Sequence, residues 1–287
     1  MKKILIIGGS GFLGSHIADI FSKKKYQVTI FDRYKSRWLK ASQKMIISDL
    51  NNTKKLEQAI KKSDIVYHFA AMSDIGDCMK SPIKSAQINI FFTLKVLEFC
   101  AKYKIKRLVY ASTIYVHSEQ GGFYRISKQA SELYIEEYNR RFSVDYTILR
   151  FGTVYGPRSG KKNNLTKIIS DALKKDILKY TGGTSGAVRR YINVRDAAQA
   201  SYEILNKKFR NKNVLITGKQ KIKITRIMKL LSKILMIKVK PKYEKIIKHG
   251  HYDVSPYDYK KKPDLKYFPK KNIGIKKGLI DLINDLS

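Results

Sequence analysis

Short, predominantly apolar segments alternate with amphipathic helical segments through the first half of the chain, and this alternation most limits what the chain can fold into. The apolar runs predict strands over 3–7, 27–31, 65–69, 108–111 and 146–151. Between them the spacing of apolar residues predicts helices over 12–22, 82–103 and 124–142. Strands without polar alternation are typical of a parallel sheet covered on both faces. Right-handed crossovers then give a doubly wound, Rossmann-type α/β sheet.

A glycine-rich turn lies between the first predicted strand and the first predicted helix. Gly8 permits a tight turn, Gly11 lets the backbone approach a pyrophosphate, and Gly14 allows close packing of helix on strand. The helix start offers free N–H groups to phosphates. Asp32 ends the second strand, where a carboxylate can accept hydrogen bonds from ribose hydroxyls, which favours NAD. Arg33 would instead suit the 2′-phosphate of NADP. The alternative is a turn that binds nothing.

A tyrosine and a lysine four residues apart form the second candidate motif. Tyr124 and Lys128 share one face of a predicted helix. An ammonium near a phenol lowers the phenol pKa, so that the oxygen can exchange a proton with a substrate hydroxyl or carbonyl. Thr113, at the end of the strand before it, supplies a further hydroxyl. The alternative is an ordinary helix surface, because the chain has 19 tyrosines and the pattern arises by chance.

Composition limits the class of protein. The chain has 287 residues, 43% of them hydrophobic, and a net charge of +36. The lysines are spread along the chain as pairs and triples, which favours a solvated surface over a nucleic-acid-binding block, so no nucleic acid partner is expected. No apolar run approaches the ~20 residues of a membrane helix, and glycines interrupt the apolar start too early for a signal peptide. With two cysteines, Cys78 and Cys100, neither a disulfide framework nor a zinc cluster is expected, which favours a reducing cytoplasm.

The joint pattern resembles the extended short-chain dehydrogenase/reductase family, in its NAD-dependent nucleotide-sugar epimerase/dehydratase branch. The resemblance covers nearly the whole chain and rests on several motifs in order. They are the glycines 8, 11 and 14, Asp49-Leu50, His68-Phe69-Ala70-Ala71, Thr113 with Tyr124 and Lys128, the segment 149–157, and the segment 189–196.

The resemblance implies roles for individual residues. Thr113, Tyr124 and Lys128 would be catalytic. The implied NAD-binding residues are Gly8, Gly11, Phe12, Leu13, Gly14, Asp32, Arg33, Asp49, Leu50, Phe69, Ala70, Ala71 and Lys128. The implied substrate-binding residues are Thr113, Tyr124, Thr153, Arg158 and Arg189. The reaction implied is epimerisation of a nucleotide-activated sugar through transient oxidation to a ketone, in a homodimer that serves polysaccharide biosynthesis.

The chain departs from the family pattern at several positions. Thr153 stands where Asn usually binds substrate. Thr113 and Tyr124 are 11 residues apart, so the loop between them is short for this family. Ile114 and Tyr115 follow Thr113, whereas sugar 4,6-dehydratases carry an Asp-Glu pair there, which disfavours dehydration. Two alternatives stay open. One is an NAD(P)H-dependent nucleotide-sugar ketoreductase with the same catalytic residues, and the other is a non-catalytic relative that binds RNA or protein.

The second half of the chain predicts a smaller domain. Residues 1–156 are expected to form the NAD-binding domain, with part of 190–206 returning to it, and residues 157–287 a smaller α/β substrate domain. Helices are predicted over 165–173, 197–205 and 224–236, and a strand over 213–216. His249, His251 and Asp253 lie close together in a lysine-rich stretch without a fourth ligand at a metal-site spacing, so no metal is expected.

Overall fold

The structure is a computed structural model of the 287-residue chain. It describes residues 1–175, 177–181, 183–237, 241–243, 265–268 and 272–286. Within those residues, no helix is both long and apolar enough to cross a membrane.

A parallel sheet of eight strands forms the centre of the fold. Its strands are β1 (Lys3–Ile7), β2 (Gln27–Asp32), β3 (Gln43–Ile47), β4 (Ile65–His68), β5 (Arg107–Thr113), β6 (Tyr146–Phe151), β11 (Lys212–Ile216) and β14 (Leu265–Tyr267). Across the sheet their order is β3-β2-β1-β4-β5-β6-β11-β14. Every neighbouring pair is parallel. The order reverses between β1 and β4, which is the switch point where doubly wound sheets bind ligands.

Helices cover both faces of this sheet. The described helices are α1 (Phe12–Lys23), α2 (Thr53–Lys61), α3 (Ile75–Lys80), α4 (Pro82–Ala86), α5 (Phe92–Lys102), α6 (Gly122–Phe142), α7 (Asn164–Lys175), α8 (Val194–Glu203), α9 (Ile224–Ile234) and α10 (Ile275–Leu286). One core joins α1 and α8 to the sheet, and a second joins α2 and α5 to its other face. Local chemistry sets some of the boundaries. Pro82 occupies the first turn of α4, and the Asn52 side chain caps α2 by accepting from Lys55 N at 3.1 Å.

The second half of the chain adds a third hydrophobic core and three two-stranded pairings. The third core includes residues of α7, α9 and α10. The short strands are β7 (Thr153–Tyr155), β8 (Lys179–Tyr180), β9 (Val188–Arg189), β10 (Tyr191–Asn193), β12 (Ile222–Lys223) and β13 (Lys242–Tyr243). They pair as β10 with β7, β12 with β9 and β13 with β8. Since β11 and β14 extend the main sheet and α8 packs on α1, the second half contributes more to the first core than the 190–206 segment alone.

The predicted fold class, a doubly wound parallel sheet of Rossmann type, is confirmed by this topology. The long helix predicted over 82–103 is interrupted, because a π-helical turn over Gln87–Phe91 separates α4 from α5. The sequence analysis missed β3, α2, α3 and α10, whose apolar residues are fewer or mixed with lysines. The division of the chain into domains at residue 156 stays a prediction.

A buried ion pair ties α6 to the sheet. The Arg150 side chain on β6 donates to both carboxylate oxygens of Glu132 on α6, with Nη2 to Oε2 at 2.6 Å. Ser112 on β5 donates to Glu132 Oε1 as well, and Arg150 Nη1 lies 3.1 Å from His117 Nε2. Three segments, α6, β5 and β6, therefore meet at one buried carboxylate whose charge Arg150 neutralises, and Arg150 also contacts His117.

We predict that Glu132→Gln lowers the free energy of unfolding by about 3–5 kcal/mol, because it removes the carboxylate charge from a buried ion pair with Arg150. Urea denaturation of the variant and the wild-type protein measures this loss. Glu137→Gln on the same helix is the matched control, since the ion pairs of Glu137 with Arg140 and Arg141 are solvent-exposed. Equal losses in the two variants would contradict the structural role assigned to Glu132.

Candidate active site

A cleft of about 1080 Å³ opens at the carboxyl ends of the central strands. All thirteen residues predicted to hold the cofactor line it, from the glycine-rich turn to Lys128 on α6. Tyr124 and Thr113 line the same cleft. The sheet topology therefore brings the two sequence motifs together, although Gly8 and Tyr124 are 116 residues apart in the sequence.

Backbone crowding explains two of the three glycines in the turn. Gly8 has a φ of +87°, and a Cβ there would lie 2.5 Å from the backbone nitrogen of Ala70. A Cβ on Gly14 would lie 2.3 Å from the carbonyl oxygen of Gly8. The first turn of α1 has no acidic residue, and Gly11 before it provides no side-chain cap, so its N–H groups face the cleft without a competing anion. This geometry fits a dinucleotide pyrophosphate.

Asp32 has a structural role in addition to the one expected of it. Its Oδ2 accepts from Ser10 N at 3.0 Å, and its Oδ1 accepts from Tyr34 N at 3.2 Å. Ser10 Oγ donates to the carbonyl of Tyr34 at 2.7 Å. The carboxylate thus fastens the glycine-rich turn to the loop after β2. It still lines the cleft and each oxygen retains capacity to accept from a ribose hydroxyl.

The candidate catalytic tyrosine is buried at the start of α6. A hydrogen bond between the Thr113 and Tyr124 hydroxyls lowers the pKa of the phenol, but burial outweighs it and raises the pKa of Tyr124 to about 12. The ring of Tyr115 packs edge-on against that of Tyr124, with centroids 6.4 Å apart. Tyr124 is therefore buried, hydrogen-bonded to Thr113 and packed against Tyr115, in surroundings that favour the neutral phenol.

Lys128 does not act on Tyr124 in the way the sequence analysis expected. Its Nζ donates to the carbonyl of Ala111 at 2.8 Å and to the hydroxyl of Tyr110 at 3.2 Å. The side chain is 3% exposed, and burial lowers its pKa to about 7. The expected lowering of the Tyr124 pKa by the ammonium is not seen in the unliganded site, because desolvation costs Lys128 much of its own charge.

The sequence analysis missed Asn89, which lies in the π-helical turn at the back of the site. The Asn89 side chain accepts from Met72 N at 2.8 Å and donates to Met72 O at 3.0 Å and to Ser127 Oγ at 2.9 Å. It fixes the turn after β4 to α6, beneath Tyr124 and Lys128. The available signal was a polar side chain directly between two isoleucines, Ile88 and Ile90, on a helix expected to be apolar on one broad face.

Three predicted substrate-binding residues are absent from the described lining of the cleft. Thr153 lies in β7, paired with Tyr191, and the mostly buried Arg189 lies in β9. Arg158 Nη2 forms an ion pair with Asp19 on α1 at 2.8 Å, and its guanidinium stacks over Trp38 at 5.2 Å. Asp19, which the sequence analysis did not single out, thus holds Arg158 against the first half of the chain.

The short loop between Thr113 and Tyr124 closes with a 3-10 turn over Ile114–His117 and left-handed glycines at 121 and 122. Two side chains of α6 hold it from below. Arg125 Nη1 donates to the carbonyl of Ser118 at 2.8 Å, and Gln129 Nε2 donates to that of Val116 at 2.9 Å. The catalytic segment is therefore fixed by helix contacts in place of a longer loop.

Among the described residues, no group of three His, Cys, Asp or Glu side chains could hold a metal ion. His249, His251 and Asp253, which the sequence analysis weighed as ligands, lie outside the described residues. Both cysteines are buried, and burial raises the thiol pKa of each.

Comparisons with known proteins identify one family and several similar proteins. A family model described as "NAD dependent epimerase/dehydratase family" matches residues 4–217. The chain is 27% identical to a putative UDP-glucose 4-epimerase of Methanocaldococcus jannaschii, with 98% of this chain and 97% of that protein covered. It is 25% identical to a UDP-glucuronate 4-epimerase of Thermodesulfobacterium geofontis, with 85% and 84% covered.

Solved structures match over almost the full length. A Thermotoga maritima UDP-glucose 4-epimerase with UDP-glucose has a TM-score of 0.87 at 24% identity, covering 99% of this chain and 98% of that one. A Bacillus cereus UDP-glucuronic acid 4-epimerase with UDP-glucuronic acid and NAD has the same TM-score and coverage at 23% identity. At these identities the likeness establishes the fold.

We predict that Lys128→Met changes the pH dependence of stability. The folded-state pKa of about 7 lies below the unfolded value, so the unfolded chain binds a proton that the folded chain lacks between pH 7 and 10. Wild-type stability relative to the variant therefore rises across this range, by at most about 1.4 kcal/mol per pH unit. Urea denaturation at pH 7, 8 and 9 measures the difference. A pH-independent difference would mean that Lys128 is ionised normally.

Proposed function

The chain belongs to the NAD-dependent epimerase/dehydratase family, and we propose that within it this protein is an epimerase of a nucleotide-activated sugar. NAD is the cofactor of the family. The observation that carries the proposal is the position of Thr113, Tyr124 and Lys128 in the wall of the cleft that the glycine-rich turn and Asp32 also line.

The cofactor site is assigned from the fit of the residues present. The first turn of α1, with Gly11, Phe12 and Leu13 before and within it, would hold the pyrophosphate, and Asp32 would accept from the adenosine ribose. Asp49 and Leu50 line the cleft on the adenine side, and Phe69, Ala70 and Ala71 line it after β4. When bound, NAD supplies reversible uptake and return of a hydride at a sugar carbon.

The protein residues handle the proton and the substrate oxygen. Tyr124 would act in its phenolate form, which accepts the proton of the sugar hydroxyl as that carbon is oxidised and gives the proton back as the ketone is reduced. Thr113, already hydrogen-bonded to Tyr124, positions the reacting oxygen. Protonated Lys128 places a positive charge one turn along the same helix face, which favours the phenolate. The ketone rotates within the site between the oxidation and the reduction. The hydroxyl is therefore formed again with inverted configuration.

Epimerisation is favoured over dehydration by the residues after Thr113. Elimination of water needs an acid and a base beside the sugar, and Ile114 and Tyr115 occupy the first two positions. Two acids that line the cleft are engaged elsewhere, since Asp74 caps α3 and Asp77 pairs with Lys162. A one-way NAD(P)H-dependent ketoreductase would use the same catalytic residues and is the second candidate. The ketoreductase differs from the epimerase because it consumes reduced cofactor in each turnover.

The substrate is proposed as a nucleoside-diphosphate sugar. The names of similar proteins include UDP-glucose, UDP-glucuronate and UDP-arabinose 4-epimerases, so UDP-sugars are the first to test. Residues 157–287 are proposed as the substrate-binding part. Arg158 and Arg189 remain candidates for the diphosphate if the second half of the chain moves towards the cleft on binding. A non-catalytic relative that binds RNA or protein would bind no nicotinamide cofactor.

We predict that Tyr124→Phe reduces epimerisation by at least about 1000-fold while NAD stays bound, because the variant loses only the proton-transfer group. Proton NMR of UDP-sugars incubated with enzyme in D₂O measures both inversion and exchange. The inverted carbon is expected to keep its hydrogen, since a hydride transferred through the cofactor does not exchange with solvent. Tyr115→Phe is the control, as it retains the ring that packs on Tyr124.

Near-normal turnover by Tyr124→Phe on a substrate that the wild-type protein converts would overturn the assignment. Stoichiometric loss of NADH absorbance with the same sugars would replace the epimerase by the ketoreductase. Mass spectrometry of the ligands retained by the purified protein identifies the cofactor and any bound nucleotide sugar independently of turnover.

We also propose that the protein is a homodimer formed through α6. Apolar side chains lie exposed along one face of this helix, where successive members are separated by three residues and then by seven or eight. They are Phe123, Ile126, Leu133 and Tyr134, and Ile83 and Phe91 are exposed on the adjacent segment. Leu133 is 66% exposed and Ile83 86% exposed. A second copy of the same face is the partner that would bury this row symmetrically.

We predict that Ile126→Asp combined with Leu133→Asp converts the dimer to a monomer, because two carboxylates would be buried at the apolar contact. Light scattering after size-exclusion chromatography measures the mass. Leu173→Asp on α7, also an exposed apolar position, should leave the mass unchanged. A monomeric wild-type protein would overturn the proposal.

A further inference from the structure

The loop that follows β2 presents three cations to the cleft. Arg33, Lys35 and Arg37 alternate along residues 33–37, and all three line the cleft beside Asp32. The cleft has six lysine or arginine residues in its lining, and half of them come from this five-residue segment. The charge is therefore concentrated at the ribose end, well apart in sequence from Tyr124 and Lys128.

The backbone of this loop is fixed by hydrogen bonds that leave the cationic side chains unused. Tyr34 is held through its N–H by Asp32 Oδ1 and through its carbonyl by Ser10 Oγ. Ser36 is buried, and its Oγ accepts from Trp38 N at 3.3 Å. The segment is thus a tethered turn, and the positions of its three cations are set by the fold.

These cations have no carboxylate partner within the described part of the chain. Arg33 stacks on the ring of Tyr34, with its guanidinium carbon 4.8 Å from the centroid. The cations just outside the segment behave differently, since Lys40 and Arg158 both form ion pairs with Asp19. Arg33, Lys35 and Arg37 face the cleft with their hydrogen-bond donors available to an anion.

Asp32 excludes such an anion less strictly than its position suggests. A carboxylate at the end of β2 disfavours a 2′-phosphate by charge repulsion. Here both carboxylate oxygens accept backbone N–H groups, from Ser10 and Tyr34, which hold the carboxylate in one orientation while it keeps its negative charge. Three cations within five residues then outnumber it, so the local field attracts a phosphate.

We infer that Arg33, Lys35 and Arg37 form a binding site for a phosphate on the adenosine ribose, so that the cleft accepts NADP(H) in addition to NAD(H). The inference rests on the proposed function only in placing the adenosine ribose beside Asp32. The guanidinium groups of Arg33 and Arg37 match the oxygens of a phosphate monoester, and Lys35 adds a point charge. Binding of the phosphate involves no covalent change.

Titration of nucleotide-free protein with NAD⁺ and NADP⁺ tests the site. Trp38 is the only tryptophan in the chain and lines the cleft next to Arg37, so its fluorescence reports binding of either cofactor. We expect the two dissociation constants to lie within about tenfold of each other. Arg33→Ala combined with Arg37→Ala should weaken NADP⁺ at least about tenfold and NAD⁺ less than about threefold. Asp32→Asn should shift the preference further towards NADP⁺.

Lys84→Ala is the matched control, since Lys84 lines the same cleft from another element, α4, and forms no ion pair with any residue that the structure describes. It should leave the ratio of the two dissociation constants unchanged. Equal weakening of both cofactors by the double variant would reduce the cations to a general positive field and overturn the site. Binding of NAD⁺ without NADP⁺ would overturn this inference and leave the proposed function standing. Binding of neither would overturn both.

Discussion

The parallel register of the central sheet is the constraint on which the site depends. Parallel strands place all their carboxyl ends at one edge, so residues far apart in sequence meet there without any long-range side-chain contact. Gly8 follows β1, Asp32 ends β2, Ala70 follows β4 and Thr113 ends β5. The crowding of Gly14 against the carbonyl of Gly8 then sets how closely α1 approaches this edge. Cofactor site and catalytic residues are both consequences of one packing arrangement.

Desolvation governs the chemistry of the site more than the pairing of charges does. Lys128 and Tyr124 are both buried, and each is shifted towards its neutral form. The hydrogen bonds that Lys128 donates to Tyr110 and Ala111 compensate only part of the cost of burial. Exclusion of more water from the site would strengthen this shift, whereas a nearby charge favours the ionised form only of the group with the opposite sign. The ionisation of Tyr124 and of Lys128 is therefore set by their surroundings in the cleft and not by the Tyr-Lys spacing alone.

The parts of the fold that the sequence predicted are those set by local patterns. Continuous apolar strands, the glycine spacing and the Tyr-Lys pair each carry their signal within a few residues, and the structure places them in one cleft. Contacts between distant segments left no such signal. Asn89 binds both backbone groups of Met72, and Asp19 captures Arg158, through side chains whose partners only the tertiary structure identifies. The pKa of Lys128 was missed for the same reason, because burial is a property of the whole packing.

Because acidic residues are scarce in this chain, individual carboxylates make several of the contacts that join distant segments. Against 59 lysines and arginines the chain has 23 acids, and several of them join segments far apart in sequence. Asp64 binds Lys3 N and Lys106, Asp145 binds Arg210, and Asp285 binds Arg158 N. A solvent-exposed lysine contributes mainly charge, whereas each of these carboxylates binds a specific partner on a distant segment. Loss of one of these carboxylates therefore separates two segments of the fold, whereas loss of a solvent-exposed lysine removes only surface charge.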